Sequence, residues 1–440
     1  MSAPTPVVVV RNINADGKGG APMGHWTRTL AFDASHRLYI SVGSYANVDS
    51  DSYRARIRRF PAFTKDNVPS GGVDFTTAEV FADGLRNEVG LAFDETGVLW
   101  GVENGPDKLY RADLGGDIHE DNPAEELNRF PESQKGQSWG YPYCFTEYDI
   151  PNGKGLGRGT VWAWPSFTTP HTDAWCRANT NPPALAMQGH SAPLGMTFYR
   201  HDAATLASSA CRVPSGQGGF PKAWDGDAFV GFHGSWNRDI PTGYKVVRIP
   251  ITTDPNTGAV TAASPIDILK SEGPGAKWAS GFRPVDVDFD PCGRLMISSD
   301  GSRLSDATYT KGSLVMMRWA AAMSPTPSTP TSGGNSSSSS NSSNSRSSGD
   351  SSSSSSPAPA RSEGTGGGST GETAPGPVSC QQLTGCAKVE KMSAATRHGP
   401  GAVLWVVSLL LVVSVALVPG RPGRPGRPGR PQRDGATDEG

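Results

Sequence analysis

A few short polar segments, each set against an apolar run, hold the residues able to do chemistry. His25, in Gly24-His-Trp-Thr-Arg, carries an imidazole whose neutral form near pH 7 is a competent general base, although a lone histidine is commonly structural. Arg86-Asn87 places a guanidinium beside an amide, which suits polarising a carbonyl oxygen or an ordinary ion pair with a neighbouring element. Asn104-Gly105-Pro106-Asp107 reads either as a turn or as a loop whose main-chain carbonyls face a hard cation such as Ca²⁺. Glu125-Glu126 is an acidic pair, fit for solvent or for the same kind of ion. Gly189-His190-Ser-Ala-Pro, His233-Gly-Ser-Trp-Asn237-Arg238 and Gly281-Phe-Arg283-Pro complete the set. No Ser/His/Asp order, phosphate-binding loop or dinucleotide glycine pattern is present, which leaves hydrolase, kinase and NAD readings without support.

The elements that must position these residues are short alternating runs broken by Asp, Gly and Pro, the pattern of an all-β protein. One unit recurs, an apolar strand ending in Phe-Asp, a turn, and a second apolar strand. Its copies are Thr29-Leu-Ala-Phe-Asp with Arg37-Leu-Tyr-Ile-Ser-Val, Gly90-Leu-Ala-Phe-Asp with Gly97-Val-Leu-Trp-Gly-Val, and Val285-Asp-Val-Asp-Phe-Asp with Gly293-Arg-Leu-Met-Ile-Ser. A weaker fourth copy, Leu194-Gly-Met-Thr-Phe-Tyr, is separated from Asp227-Ala-Phe-Val-Gly-Phe by an insertion. Loosely spaced repeats of hairpins predict the blades of a β-propeller, whose chemistry belongs at one mouth of the central channel. A β-sandwich would need fewer units and no recurring hairpin.

With 440 residues and a formal net charge of −2, the chain is too long for one core, and its globular part shows no basic stripe, which argues against a nucleic-acid partner. Residues 1–320 are expected to be the propeller. Its scattered cysteines, Cys144, Cys176, Cys211 and Cys292, lack metal-site spacing and predict disulfides in an oxidising compartment. Residues 321–400 form a Ser/Gly/Pro-rich linker unable to bury a core, with Asn335 and Asn341 as N-glycan acceptors if exported, and Cys380 and Cys386 able to close a small loop. Residues 401–419 hold the uncharged run Ala402–Val418, long enough for a single transmembrane helix, and residues 420–440 form a basic Gly-Arg-Pro tail. The tail predicts a cytosolic C-terminus and an extracellular propeller. A lipid anchor and plain secretion are the alternatives. No signal peptide precedes Val7, which points to a start lying upstream.

Taken together, the strings GLRNEVGLAFDETGVLW, ENGPD, AEELN, WGYPYC, QGHSAPLG, HGSWNR and GFRPVDV resemble the pyrroloquinoline-quinone (PQQ) dependent soluble glucose dehydrogenases, and more closely their sorbosone and fungal pyranose dehydrogenase-like relatives. The likeness runs from about Val7 to Trp319 and implies a six-bladed propeller, its first blade absent before Val7, holding PQQ over Ca²⁺. It implies that His25 is the base taking the proton of a sugar C1 hydroxyl while hydride moves to the quinone, and that Arg86 polarises the quinone oxygen. Asn87, Asn104, His190, Asn237, Arg238 and Arg283 are implied cofactor contacts. The carbonyls of Gly105 and Pro106 are implied ligands of the active-site Ca²⁺, and Glu125 and Glu126 of a further structural one. Three carboxylates on PQQ suit arginines drawn from separate units.

Two positions depart from the family pattern. Its aspartate after the histidine-bearing hairpin is Ser44 here, and its lysine is Asn237 or Arg238. The implied activity is oxidation of an aldose or keto-aldose such as glucose, fucose or sorbosone, with electrons passed to an external quinone or haem protein. A non-catalytic surface propeller binding a protein or glycan is the rival reading, but it gives no reason to combine His25, Arg86, Gly105-Pro106 and Arg283.

Overall fold

The computed structural model describes residues 6–13, 24–51, 53–64, 66–211, 219–271, 276–301, 303–304, 308–309, 312–321 and 385–392. Four antiparallel sheets of four strands each dominate them. Blade 1 runs Arg28–Phe32, Arg37–Val42, Arg56–Ala62 and Glu79–Asp83, and blade 2 runs Glu88–Phe93, Leu99–Glu103, Glu125–Phe130 and Leu185–Met187. Blade 3 runs Pro193–Phe198, Ala228–Phe232, Lys245–Ile249 and Ile266–Leu269. Blade 4 runs Pro284–Phe289, Leu295–Ser299, Ser313–Ala321 and Gly385–Met392.

Each recurring hairpin of the sequence forms the two inner strands of one blade, and the aspartate of Phe-Asp is the reason the turn closes. Asp33 Oδ1 accepts the backbone N–H groups of Ser35 and Arg37, both at 2.9 Å. Asp94 does the same for Thr96 and Val98, and Asp290 for Cys292 and Arg294. A side chain that satisfies two turn donors fixes the turn, and with it the register of the strands on either side. The fourth copy has Tyr199 in place of Asp, and its backbone N–H bonds the carbonyl of Asp227 across the insertion instead.

The blade count corrects one expectation. A six-bladed ring short of its first blade would leave five sheets, whereas the described residues form four four-stranded ones. The long step between the second copy, at Gly90, and the weaker fourth, at Leu194, holds no additional blade. It is filled by a small hairpin, Cys144–Thr146 with Val161–Ala163, and a helix, Asp173–Asn179, joined by the Cys144–Cys176 disulfide. A second disulfide, Cys211–Cys292, links the insertion of blade 3 to the turn of blade 4. Both are disulfides of the kind expected from the cysteine pattern.

The strand Gly385–Met392 lies within the stretch read as a linker, yet it pairs antiparallel with Ser313–Ala321 as the outer strand of blade 4. The strand is defined by its backbone pairing with a partner far away in the sequence, which the local stretch does not reveal. The rest of 322–384, including Asn335, Asn341 and Cys380, lies outside the described residues, as do the run 402–418 and the basic tail. Among the described residues no helix is long and apolar enough to cross a membrane.

The three clusters that join the blades sit at the seams between them. Tyr39, Ile57 and Phe81 of blade 1 meet Leu99 and Phe130 of blade 2. Trp100, Val102 and Leu127 of blade 2 meet Met196, Val230 and Val247 of blade 3, and Phe229 and Val246 of blade 3 meet Val287, Leu295 and Ile297 of blade 4. Glycines on the innermost strands permit the closest approaches. A Cβ on Gly90 would come within 2.4 Å of the Leu194 carbonyl oxygen on the next blade, and one on Gly195 within 2.5 Å of the Asp286 Cα on the blade after that.

Gly195→Ala should therefore push two backbones apart and cost about 1–3 kcal/mol, as other overpacked interiors do. Urea unfolding followed by circular dichroism measures it, and an unchanged midpoint would contradict blade contact through that glycine.

Candidate active site

In every blade the chain enters the innermost strand and leaves the second strand at the same end, because the two are antiparallel neighbours. The residues just before Arg28, Glu88, Pro193 and Pro284 and those just after Val42, Glu103, Phe232 and Ser299 consequently share one mouth. Backbone bonds stitch these segments in series. His25 N–H donates to the Ser44 carbonyl at 3.0 Å, Ser44 N–H to that of Arg86 at 2.7 Å, and Asn104 N–H to that of Asn87 at 3.1 Å. Asn104 Nδ2 then donates to the Pro193 carbonyl at 2.6 Å, reaching blade 3.

His25 is held by its Nδ1, which lies 3.0 Å from both the carbonyl oxygen and the Oγ of Ser44. A carbonyl only accepts, so Nδ1 carries the hydrogen and the ring lone pair is on Nε2. Burial foremost, and then the charge of Arg86, pushes the imidazole down to about 3, outweighing the opposing effects of the Ser44 carbonyl and of Asp107. The ring is neutral at any pH where the protein would work. Gly43 makes room for it, since a Cβ there would lie 2.7 Å from the His25 Cβ and 2.6 Å from the Asn87 Oδ1. Ser44, in place of the family's aspartate, thus orients the base without charging it.

Arg86 is buried and fully engaged. Its guanidinium donates to the carbonyls of Asn47, Asn104 and Gly105 at 3.2, 3.1 and 2.7 Å, to the Asn47 Oδ1 at 3.0 Å, and to the Asp107 Oδ2 at 3.2 Å. Asp107 is the residue that the sequence reading left out. Its Oδ1 accepts from Asn237 Nδ2 at 2.7 Å and lies 3.3 Å from His190 Nδ1, while its N–H donates to Asn47 Oδ1 at 2.7 Å. One carboxylate therefore gathers Arg86, Asn237 and His190. Burial works to raise its pKa, but the hydrogen bond from His190 and the charge of Arg86 hold it below the usual range. His190 Nε2 faces the carbonyls of His119 and Asn122 at 2.7 and 3.2 Å, so both ring nitrogens meet acceptors. Burial disfavours that cation, but Asp107 and Glu125 raise its pKa overall.

Arg283 donates to the carbonyls of His233 and Gly234 at 3.0 and 2.7 Å and lies over the Tyr244 ring. Two donors go to those carbonyls, and its planar fork has more to offer an anion. Arg238 is placed differently from the other cations. It bonds the carbonyls of Glu120 and Ile240 and pairs with Glu120 and Asp121, so its charge fastens the 235–242 loop to the 119–121 loop. Asn237 keeps a buried Oδ1 with no partner, an acceptor aimed at nothing in the protein.

The acidic pair divides. Adjacent residues on a strand face opposite ways. Glu125 accepts the N–H groups of Gly105 and Ala192 at 2.7 and 3.1 Å and so clamps the Gly105 loop. Glu126 instead lines a small cavity of about 20 Å³ with Glu103, Gly105, Pro106, Tyr141 and Thr146. That is room for one water or one ion. Burial pushes both Glu125 and Glu126 up to about 7, and Glu103 is raised by burial and by the charges of Glu126 and Glu88. Such oxygens suit a hard cation, so Glu126, Glu103 and the Gly105-Pro106 loop fit Ca²⁺ while Glu125 does not face the space. Carboxylates alone would not suffice, since no cluster of three or more His, Cys, Asp or Glu able to hold a metal occurs among the described residues.

Sequence reasoning also passed over Asn47, Glu103, His119 and Tyr141. Asp107 had one available signal, its place directly after Gly105-Pro106, and Tyr141 lay within the string WGYPYC, but Asn47 carries none, since its role arises from chain segments meeting in space. Tyr141 reaches the Asn47 carbonyl with its hydroxyl at 3.2 Å, and burial foremost pushes that phenol up to about 12.

Comparison with known proteins bears on this mouth. A family model described as TrAA12-like matches residues 2–305. The chain is 32% identical over 322 residues to a pyrroloquinoline quinone-dependent pyranose dehydrogenase of Coprinopsis cinerea, covering 67% of this chain and 39% of that protein. It is 30% identical over 293 residues to a pyrroloquinoline quinone-dependent sugar dehydrogenase of Hypocrea jecorina, covering 63% of this chain and 61% of that protein. It thus spans between about two fifths and three fifths of the curated relatives it matches. Among solved structures, the holo form of the pyranose dehydrogenase PQQ domain from Coprinopsis cinerea superposes with a TM-score of 0.51 at 30% identity, over 62% of this chain and 68% of that one. A Trichoderma reesei carbohydrate-active enzyme of family AA12, in an iodide structure, gives 0.50 at 30%, over 66% and 68%. Because the matched stretch takes in the innermost strands of all four blades and each residue gathered at their shared mouth, the chain belongs to the TrAA12-like family.

Proposed function

We propose that this chain is the catalytic part of a PQQ- and Ca²⁺-dependent sugar dehydrogenase, oxidising the C1 hydroxyl of an aldose or keto-aldose such as glucose, fucose or sorbosone. The observation that carries the reading is His25, an imidazole held neutral with its Nε2 lone pair free, in the field of the buried Arg86. The named relatives, dehydrogenases dependent on the same cofactor, support it.

Bound PQQ supplies a quinone able to accept hydride, chemistry that no side chain here possesses. The chain's own residues do the rest. His25 Nε2 receives the hydroxyl proton, and the Ser44 carbonyl on Nδ1 steadies the ring as it becomes cationic. Arg86 contributes a fixed positive charge beside the place where negative charge develops, and its five donors keep it from reorienting. Arg283 would meet carboxylates of the cofactor, with His190, Asn237, Asn87 and Asn104 beside it. Arg238 acts indirectly, by holding the loop that bears Asn237. Gly105, Pro106, Glu103 and Glu126 supply oxygens for Ca²⁺. Electrons leave to an external quinone or haem protein. The propeller lies outside the cell, anchored through the apolar run 402–418.

Two outcomes test the proposal. His25→Ala should lower dye-coupled sugar oxidation by about 10²- to 10⁴-fold while leaving the PQQ absorbance titration in the presence of Ca²⁺ unchanged. Failure of the folded wild-type chain to bind PQQ would end the reading. Second, because His25 is already neutral above about pH 3, kcat/KM should show no acid limb near 6.5, the ordinary histidine value, that belongs to His25, and a limb near 7 from the carboxyls of Glu125 and Glu126 should be the same in wild type and His25→Ala. A limb centred near 6.5 that vanishes in His25→Ala would mean that the base titrates like a free histidine and is not the buried ring described above.

A further inference from the structure

Just past the Asp107 loop the protein carries a second feature that the proposed chemistry does not use. Tyr110, Arg111, Ala112, Asp113, Pro165, Thr168, Thr172 and Asp173 line an open groove of about 520 Å³. Tyr110 is three residues from Asp107, so their Cα atoms lie within about 11 Å at full extension. The groove therefore starts within reach of the loop that carries Asp107.

Its floor is a fixed array. Arg111 Nε and one terminal nitrogen bind Asp113 at 2.9 and 2.6 Å, and its terminal nitrogens bind Asp173 at 3.0 and 3.1 Å and the Ala163 carbonyl at 2.8 Å. All five guanidinium donors are occupied, so this arginine has none left for an anion, and the trio bears a net negative charge. The carboxylates retain lone pairs, and Asp113 is 62% exposed. Thr172 accepts the Trp175 N–H with its Oγ, which leaves its hydroxyl hydrogen free to donate. Above this floor stands Tyr110, 61% exposed, with Gly116 against one ring edge. An exposed aromatic ring beside planar, pre-oriented acceptors matches the C–H faces and hydroxyl edges of a neutral sugar, whereas saturated donors and net negative charge disfavour a uronic acid.

We propose that the Tyr110–Asp113–Asp173 groove is a binding subsite for a neutral pyranose unit of an oligosaccharide whose end sugar occupies the active site. Tyr110 stacks on the ring, and Asp113, Asp173 and Thr172 engage its hydroxyls. The assignment of an oligosaccharide rests on the sugar dehydrogenase reading, but binding at the groove needs neither PQQ nor turnover.

Isothermal titration of the full chain without PQQ, using cellotriose, glucose and trigalacturonate, decides it. Tyr110→Ala should weaken cellotriose about five- to tenfold, Tyr110→Phe should restore it, and glucose affinity should change less than about twofold in either. Trigalacturonate should bind at least about tenfold more weakly than cellotriose, given the uncompensated charge of the trio. Cellotriose affinity unmoved by Tyr110→Ala, trigalacturonate binding as tightly as cellotriose, or no cellotriose binding by a chain with native circular dichroism would each overturn the subsite. A parallel PQQ titration separates the two ideas, because loss of PQQ binding sinks the dehydrogenase reading and leaves the groove result standing.

Discussion

The ion pair between Arg86 and Asp107, 3.2 Å long with both partners largely shut from solvent, is the interaction on which the site depends. Buried charges are tolerated only when paired and hydrogen-bonded, and here both conditions are met to excess. The arginine is bound by three carbonyls and an asparagine besides, and the aspartate by an asparagine, an imidazole and a neighbouring loop. Three separated stretches of chain, around positions 86–107, 190 and 237, thus converge on one carboxylate. Burial foremost keeps His25 neutral, and the same pair adds to it, since the guanidinium opposes protonation of the ring and the carboxylate only partly offsets it.

That convergence follows from propeller topology. Hairpins repeated around an axis deliver the start of each innermost strand and the end of its neighbour to one mouth, so residues a hundred positions apart become neighbours there. What brings the blades close enough is the absence of side chains at Gly90 and Gly195, where backbones of adjacent blades nearly touch. Apolar residues from both sides of each seam then complete the core. A rigid scaffold with polar loops at one end suits catalysis, because each loop can hold one functional group without disturbing the next.

The departures from the family pattern fall into a consistent picture. Ser44 holds His25 through a carbonyl and a hydroxyl where a carboxylate would hold it through charge, and a charged partner would raise the ring toward the cationic state. Arg238 stands where a lysine was expected to face the cofactor, but a guanidinium reaches two acidic side chains and two carbonyls of the protein and stays with them. Arg283 is left as the cation with donors to meet an anionic ligand, since both ring nitrogens of His190 already meet acceptors of the protein.

By itself the sequence determined the local units. Four copies of a strand-turn-strand motif gave four pairs of inner strands, and in three of them the Phe-Asp aspartate closes its own turn within five residues. His25, Arg86, Asn87, Gly105 and His190 were legible as chemistry because each sits in a polar string beside an apolar run. The number of blades, the division of Glu125 from Glu126, the engagement of Arg238 and the place of Asp107 at the centre were decided only by tertiary structure. Each depends on which residues a folded neighbour presents across a seam or a loop, and no periodicity along one strand encodes that. The outer strand Gly385–Met392 makes the same point, since its partner Ser313–Ala321 lies more than sixty residues earlier and supplies the hydrogen bonds that define it.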